Sequence, residues 1–305
     1  MEQILKDFVN SRDNNGEIIA AFGYGSGIFK QNGYSLQKPM IDTIFVVEKP
    51  RLWHKENIKK NPKDYSRNGR IILKYFDLNA IRKSTGVTYQ CDIPFQGYHF
   101  KYGIISKKRF LDYLNGNWES FFIQGRFKKP TYPIRTTYEI DKAIQENRDL
   151  ALFVALLTLD VEHPTLVDLY NQICSLSYLG DVRMFFAENP NKIHNIVNGS
   201  FKDFYDIYGE DSIYFYTKQN GELVINYDLL YAAIRLLPDT LYHYIEKHGN
   251  CFQDHKKVPE LIQKKLAQIN RKDSLIQPSL GLLTVSPSKS VAYLNEKMKK
   301  KKKKL

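Results

Sequence analysis

Three groups of residues in this chain have the types and spacing to do chemistry together. Tyr24-Gly25-Ser26-Gly27 breaks the apolar run of residues 18–29 with a glycine-rich turn. Glycine lets backbone N–H groups approach a phosphate closely, and the Ser26 hydroxyl adds one more donor. Asp42 follows inside Met40–Val47, a lone acid among β-branched and apolar residues. A carboxylate in such a stretch is costly unless it pairs with a cation or holds a metal. The third group is the basic cluster Arg126-Phe127-Lys128-Lys129-Pro130. A phosphate cradle, a carboxylate able to hold Mg²⁺ and a set of cations would together suit chemistry on a triphosphate. The bland reading of Asp42 is an acid neutralised by a nearby Lys or Arg. The turn itself is neither a P-loop, because no Gly-Lys-Ser/Thr follows, nor a dinucleotide fingerprint.

Two strands must position these groups. The apolar start of residues 18–29, before the turn, and Met40–Val47 read as strands on their apolar, β-branched content. A Gly-Ser turn followed by an acid on the next strand is the layout of polymerase-β-type nucleotidyltransferases. Their usual second acid, two residues on, is Ile44 here. Apolar segments follow at Arg70–Phe76 and Tyr98–Ser106, the latter a strand carrying Lys101, and Trp118–Gly125 precedes the basic cluster. The texture then changes. Thr136-x-x-Glu139 has capping-box spacing, with a helix expected to about Leu159 and stopped by His163-Pro164. Helices are expected at 165–177, 181–188, 227–236 and 257–269, with a hairpin around Asn220-Gly221. The expected class is α/β (α+β): a nucleotidyltransferase domain at 1–130, a helical, winged-helix-like domain at 131–250, and a C-terminal basic segment at 251–305.

Composition narrows the classes further. In 305 residues, 43% hydrophobic and 26% charged content excludes global disorder. Cys91, Cys174 and Cys251 form no CxxC pair, which argues against a zinc ribbon or a disulfide framework. The longest apolar run, Leu150–Leu159, is far short of the roughly 20 residues of a spanning helix. The first 22 residues carry four acids and two cations, unlike a signal peptide or a mitochondrial presequence. Net charge is +12, and Lys297 with Lys299–Lys304 supplies seven of it, leaving +5 for residues 1–296. Such a lysine run suits an anionic membrane surface or an anionic polymer.

The residues around the turn and the acid go further. Tyr24-Gly25-Ser26-Gly27, Pro39-Met40-Ile41-Asp42, Trp53-His54 with Asn57 and Asn61, and Tyr65-Ser66 resemble the Tam41 family. So do Lys101–Ser106, Gly125-Arg126 with Lys129-Pro130, Leu176-Ser177-Tyr178 with Gly180-Asp181 and Arg183-Met184, Asn195–Val197 and Lys289–Tyr293. The match covers residues 20–295 in order. That family is the mitochondrial-type CDP-diacylglycerol synthase, or phosphatidate cytidylyltransferase. The resemblance implies a nucleotidyltransferase domain, Mg²⁺, CTP and phosphatidate as substrates, a role in cardiolipin and phosphatidylglycerol synthesis, and peripheral membrane attachment. With no presequence-like start, a bacterial membrane's cytoplasmic face is expected, or the mitochondrial matrix face for a mature form.

On that basis Asp42 and Lys101 are the expected catalytic residues, with Asp42 as metal ligand and Asp92 or Asp181 as candidate further ligands. Tyr24, Gly25 and Ser26 are expected on the CTP phosphates. Arg126, Lys128, Lys129 and Arg183 are expected on phosphatidate or the triphosphate. Asp181 could equally orient Arg183 or cap a helix, and His54 could be a hydrogen-bonding residue. A phosphate monoester is already anionic near neutral pH, so the acceptor needs no general base, which gives a reason for a missing second acid. Two other readings stay open: nucleotidyl transfer to a different acceptor, and a non-enzymatic winged-helix module binding nucleic acid through its basic tail. No nucleic-acid partner is expected under the first reading.

Overall fold

The computed structural model describes residues 1–31, 39–76, 85–186, 189–209, 215–249 and 251–284. Its first half is a mixed five-stranded sheet. α1 (Glu2–Arg12) leads into β1 (Ile18–Tyr24), a 3₁₀ turn at Gly25–Gly27 and β2 (Ile41–Val47). α2 (Pro50–Lys60) and α3 (Arg67–Tyr75) follow, then β3 (Thr88–Phe95), β4 (Tyr98–Ser106), α4 (Lys107–Leu114), α5 (Phe121–Phe127) and β5 (Thr131–Arg135). The strand order is β3-β4-β2-β1-β5. Only β2 and β4 run parallel, because α2 and α3 lie between them and supply the crossover. β5 pairs with β1, so the sheet unit reaches residue 135, beyond the boundary expected at 130.

Alternation along the strands divides the apolar side chains between two faces. Phe22, Ile44, Val46, Tyr89 and Ile105 share one core with Phe122, Phe127 and Ile140. Ile41, Phe45, Phe100 and Tyr102 share the other with Phe8 and Trp53. Arg70–Phe76 reads as an apolar segment and folds as α3, capped by Ser66, whose Oγ accepts from the Gly69 N–H at 3.0 Å.

The second half is helical. α6 (Tyr138–Thr158), α7 (Leu166–Ser175), α8 (Arg183–Phe186), α9 (Lys192–Gly199) and α10 (Phe201–Tyr208) precede the hairpin β6 (Tyr216–Gln219) and β7 (Glu222–Ile225). α11 (Tyr227–Ala232), α12 (Asp239–Lys247) and α13 (Lys257–Thr284) complete it. The hairpin turns at Asn220 and Gly221, both at positive φ, as Asn-Gly predicts. The capping box expected at Thr136 does not form. Thr136 Oγ1 bonds Asp141 instead, and the working box is Thr165 with Asp168 at the start of α7. α13 extends well past residue 269. Val258, Ile262 and Leu266 join the helical core, and further along α13 packs on α3, α5 and β3.

Candidate active site

Antiparallel pairing of β1 with β2 sets Tyr24 opposite Asp42, so the turn that leaves β1 lies over the acid. Gly25 sits at φ +75°, and a Cβ there would stand 3.4 Å from Asp42 Oδ2. Only glycine adopts this conformation cheaply while leaving the carboxylate uncovered. A Cβ on Gly27 would come within 2.6 Å of the Met40 carbonyl oxygen, so that residue too is held to glycine, by contact with the start of β2. Ser26 lies between them, half-buried.

Parallel register places Lys101 of β4 beside Asp42 of β2, and Lys101 Nζ donates to Asp42 Oδ1 at 3.0 Å. The bland reading of Asp42 is thus met: the carboxylate has a cationic partner. The pair is not sealed, with side chains 23% and 17% exposed. Tyrosines wall it in. Lys101 Nζ lies 4.5 Å from the Tyr89 ring centre, and the Tyr89 and Tyr24 hydroxyls are 3.3 Å apart. Burial holds Tyr24 well above the usual phenol range, so it stays protonated.

Arg126, near the end of α5, closes this group on the far side. Its guanidinium lies 3.9 Å from the Phe122 ring centre and 5.3 Å from that of Tyr24, and it donates to the Phe122 carbonyl. Burial disfavours the Arg126 charge, while hydrogen bonding to Tyr24 and the Asp42 carboxylate favour it, and the guanidinium stays cationic. Beyond Arg126 the cations continue into the helical half. Gly125 admits that approach, since a Cβ there would stand 2.4 Å from Ser177 Cβ. Lys129 Nζ donates to Ser177 Oγ at 2.8 Å and faces the Tyr178 ring, which Lys192 also faces. Burial pushes the Lys129 amine down to about 8; Cys174 opposes the shift, while Arg126, Lys192 and Arg183 add to it. Arg183 is aimed by Asp181, a buried acid that accepts from its Nε at 3.0 Å and from its backbone N–H at 2.9 Å. A phosphate-sized anion in this group would relieve charges that otherwise repel one another.

Comparison with known proteins shows the family. Residues 2–227 match the family model described as "Phosphatidate cytidylyltransferase, mitochondrial". The chain belongs to the Tam41 family of phosphatidate cytidylyltransferases. Curated proteins of that name align along most of its length. The Drosophila melanogaster protein is 30% identical, covering 93% of this chain and 95% of its own. The Bos taurus protein is 30% identical over 93% and 90%. The Schizosaccharomyces pombe protein is more similar, 43% identical, but over 63% of this chain and about half, 49%, of its own length. Family membership makes the chain an enzyme of nucleotidyltransferase type. All three relatives are named as mitochondrial, so the bacterial placement has no support among them.

Within this Tam41 protein, three residues suggested by sequence fall elsewhere. Lys128 does not face solvent. α5 ends in a phase that turns its side chain into the helical core, with Nζ 3.5 Å from the Trp118 ring centre and 3.7 Å from that of Phe121. Burial holds that amine well below the usual lysine range. Asp92 sits in a β3 bulge at φ +57°, exposed and paired with His99 at 2.6 Å. It therefore does not line up beside Asp42 on the sheet. His54 is fully buried, bonded to the Tyr65 hydroxyl at 3.1 Å and Thr88 Oγ1 at 2.8 Å, and burial pushes its imidazole down to about 3. That confirms the hydrogen-bonding alternative. The sequence reading missed Tyr89 and Lys192. Period-two alternation places Tyr89 on the Asp42 face, and Lys192 lies three residues before the matched Asn195-Ile196-Val197.

Among the described residues, no three His, Cys, Asp or Glu side chains gather into a set able to hold a metal ion. Asp42 is a single carboxylate, and its Oδ2 faces the Gly25 turn. Mg²⁺ is commonly held by one or two carboxylates, with substrate phosphates and water completing the shell. The donor set fits a magnesium ion shared with a triphosphate and does not fit an all-protein cage.

Proposed function

We propose that the protein transfers CMP from CTP to phosphatidate, with Mg²⁺, at the outer end of β1, β2 and β4. The observation that carries this reading is a division of the cations into two groups on either side of Arg126. Lys101 lies by Asp42 and the Gly25 turn. Lys129, Lys192 and Arg183 lie toward Tyr178. Two reacting anions need two such places and a shared cation between them.

In this reading the backbone of Gly25 and the hydroxyl of Ser26 hold the triphosphate, and Tyr24 donates to it as a neutral phenol. Lys129, Lys192 and Arg183 hold the phosphatidate phosphate, with Asp181 fixing the direction of Arg183. Arg126 faces both groups. An oxygen of the phosphatidate phosphate bonds to the α-phosphorus of CTP while the bond from that phosphorus to the pyrophosphate oxygen breaks. No proton has to be removed from the acceptor, so the chain needs no general base here. Magnesium, when bound with the triphosphate through Asp42, supplies further charge neutralisation.

The product, CDP-diacylglycerol, would feed phosphatidylglycerol and cardiolipin synthesis. Among the described residues no helix is long and apolar enough to cross a membrane, which fits peripheral attachment. Labelled CTP, phosphatidate and Mg²⁺ should yield labelled CDP-diacylglycerol and pyrophosphate, and omission of Mg²⁺ should abolish the yield. Transfer to a nucleic acid or a small alcohol, with none to phosphatidate, would overturn the assignment.

A further inference from the structure

We propose that the solvent face of α2 and α3 is the surface by which the enzyme sits against an anionic lipid bilayer, a reading that rests on phosphatidate being its substrate. Charge is the first observation. Residues 49–76 hold nine Lys and Arg against Glu56 and Asp64, a net +7. With the seven tail lysines also set aside, the rest of the chain carries −2. The folded body's excess of positive charge therefore lies in this one hairpin. Its two acids do little to cancel it outward. Asp64 is buried against Arg12 with both oxygens engaged, and Glu56 is paired with Lys59.

Apolar exposure is the second. Ile71 is 55% exposed, Tyr75 59% and Phe76 62%, and Leu52 of α2 is 46% exposed. On α3 these residues alternate with cations: Gly69 and Leu73 face inward, while Arg67, Arg70, Ile71, Lys74 and Tyr75 face outward. Apolar side chains entering the acyl boundary, with Lys and Arg stems reaching back to headgroup phosphates, is how an interfacial helix holds to an anionic bilayer. A surface built for nucleic acid has no use for an exposed isoleucine and leucine.

Position is the third. α13 packs on α3, with Leu275 57% exposed, and the lysine run follows α13 in the sequence.

Sedimentation with phosphatidylcholine vesicles, with and without phosphatidate, across a salt series tests this. The triple variant Arg67→Gln/Arg70→Gln/Lys74→Gln should lose about a hundredfold in partitioning onto phosphatidate vesicles at low salt, since each cation near such a surface contributes up to about fivefold. Ile71→Asp should lose binding even where salt has removed the charge contribution. Both variants should keep wild-type turnover on detergent-solubilised phosphatidate, which also shows that they fold. Ile71→Trp should be quenched by brominated phosphatidylcholine when phosphatidate is present in the same vesicles. Unchanged partitioning in the triple variant, or an unquenched Ile71→Trp, overturns the proposal. So does an equal loss of duplex DNA binding in Ile71→Asp. No turnover by the wild type on detergent-solubilised phosphatidate would instead sink the cytidylyltransferase reading, whatever the vesicles show.

Discussion

The two faces of the five-stranded sheet each carry a polar set drawn in part from the family-like stretches, and the two sets are built on opposite rules. On the face of α1 and α2, Arg12 holds Asp64 through two bonds of 3.1 Å, and the Tyr102 hydroxyl donates to the same carboxylate at 3.0 Å. Asn57 Nδ2 donates to the Tyr65 and Tyr102 hydroxyls, and His54 joins Tyr65 to Thr88. Charges there balance, and the side chains are buried. On the face of α5, Lys101, Arg126, Lys129, Lys192 and Arg183 outnumber Asp42 and Asp181, and Asp42 remains accessible. A balanced, dry network stabilises and specifies a fold. A partly open surplus of one charge sign is a place for a ligand of the other sign. Likeness of sequence did not separate the two sets; charge balance and access do.

Paired substitutions break the comparison most sharply. Asp42→Asn should lower kcat by about 10²–10³ or more, while its loss of a partly exposed ion pair should cost at most about 1 kcal/mol of stability. Asp64→Asn should do the reverse, destabilising by about 3–5 kcal/mol because it strands a buried guanidinium. Its turnover per folded molecule should stay near normal. Steady-state kinetics and urea unfolding on the two variants check both, and equal behaviour would erase the distinction between the faces.

Ser26→Ala should lose about tenfold to a hundredfold in kcat/KM for CTP, the worth of about 1.5–3 kcal/mol for a bond to a charged phosphate. Its KM for phosphatidate should not move. Titrating each substrate separately reads this.

Lys129 sharpens the cationic face through pH. With its amine pushed down to about 8, the side chain is charged below that pH and neutral above it. The KM for phosphatidate should therefore rise as pH climbs through about 8, and Lys129→Arg should move that limb to higher pH. A limb that stays in place assigns the titration to another group.

The smallest effect belongs to the balanced face. His54 is held neutral in the fold, with its imidazole at about 3, against about 6.5 in the unfolded chain. The unfolded state takes up a proton first, so this contribution to stability is intact above about 6.5. It falls as pH drops toward 3, by up to about 1.4 kcal/mol per pH unit. His54→Gln should flatten that acid limb in denaturation curves while leaving kcat near pH 7 within about twofold.

Sequence by itself determined what rests on local spacing. The glycine turn between two strands, the acid on β2, the Asn-Gly hairpin and most helices were legible, because side-chain period and turn chemistry act over a few residues. The ordered stretches also fixed the family, since many short matches in one order rarely coincide. Tertiary structure decided what rests on register and phase. Lys101 meets Asp42 across 59 positions through the parallel β2–β4 pairing. One bulge in β3 turns Asp92 out to His99. One helical phase buries Lys128 between Trp118 and Phe121 while its neighbours Arg126 and Lys129 face the site. Spacing along the chain cannot distinguish those three cations, because which way each points is set by packing: Lys128 turns to Trp118 and Phe121, Arg126 to Phe122 and Tyr24, and Lys129 to Ser177 and Tyr178.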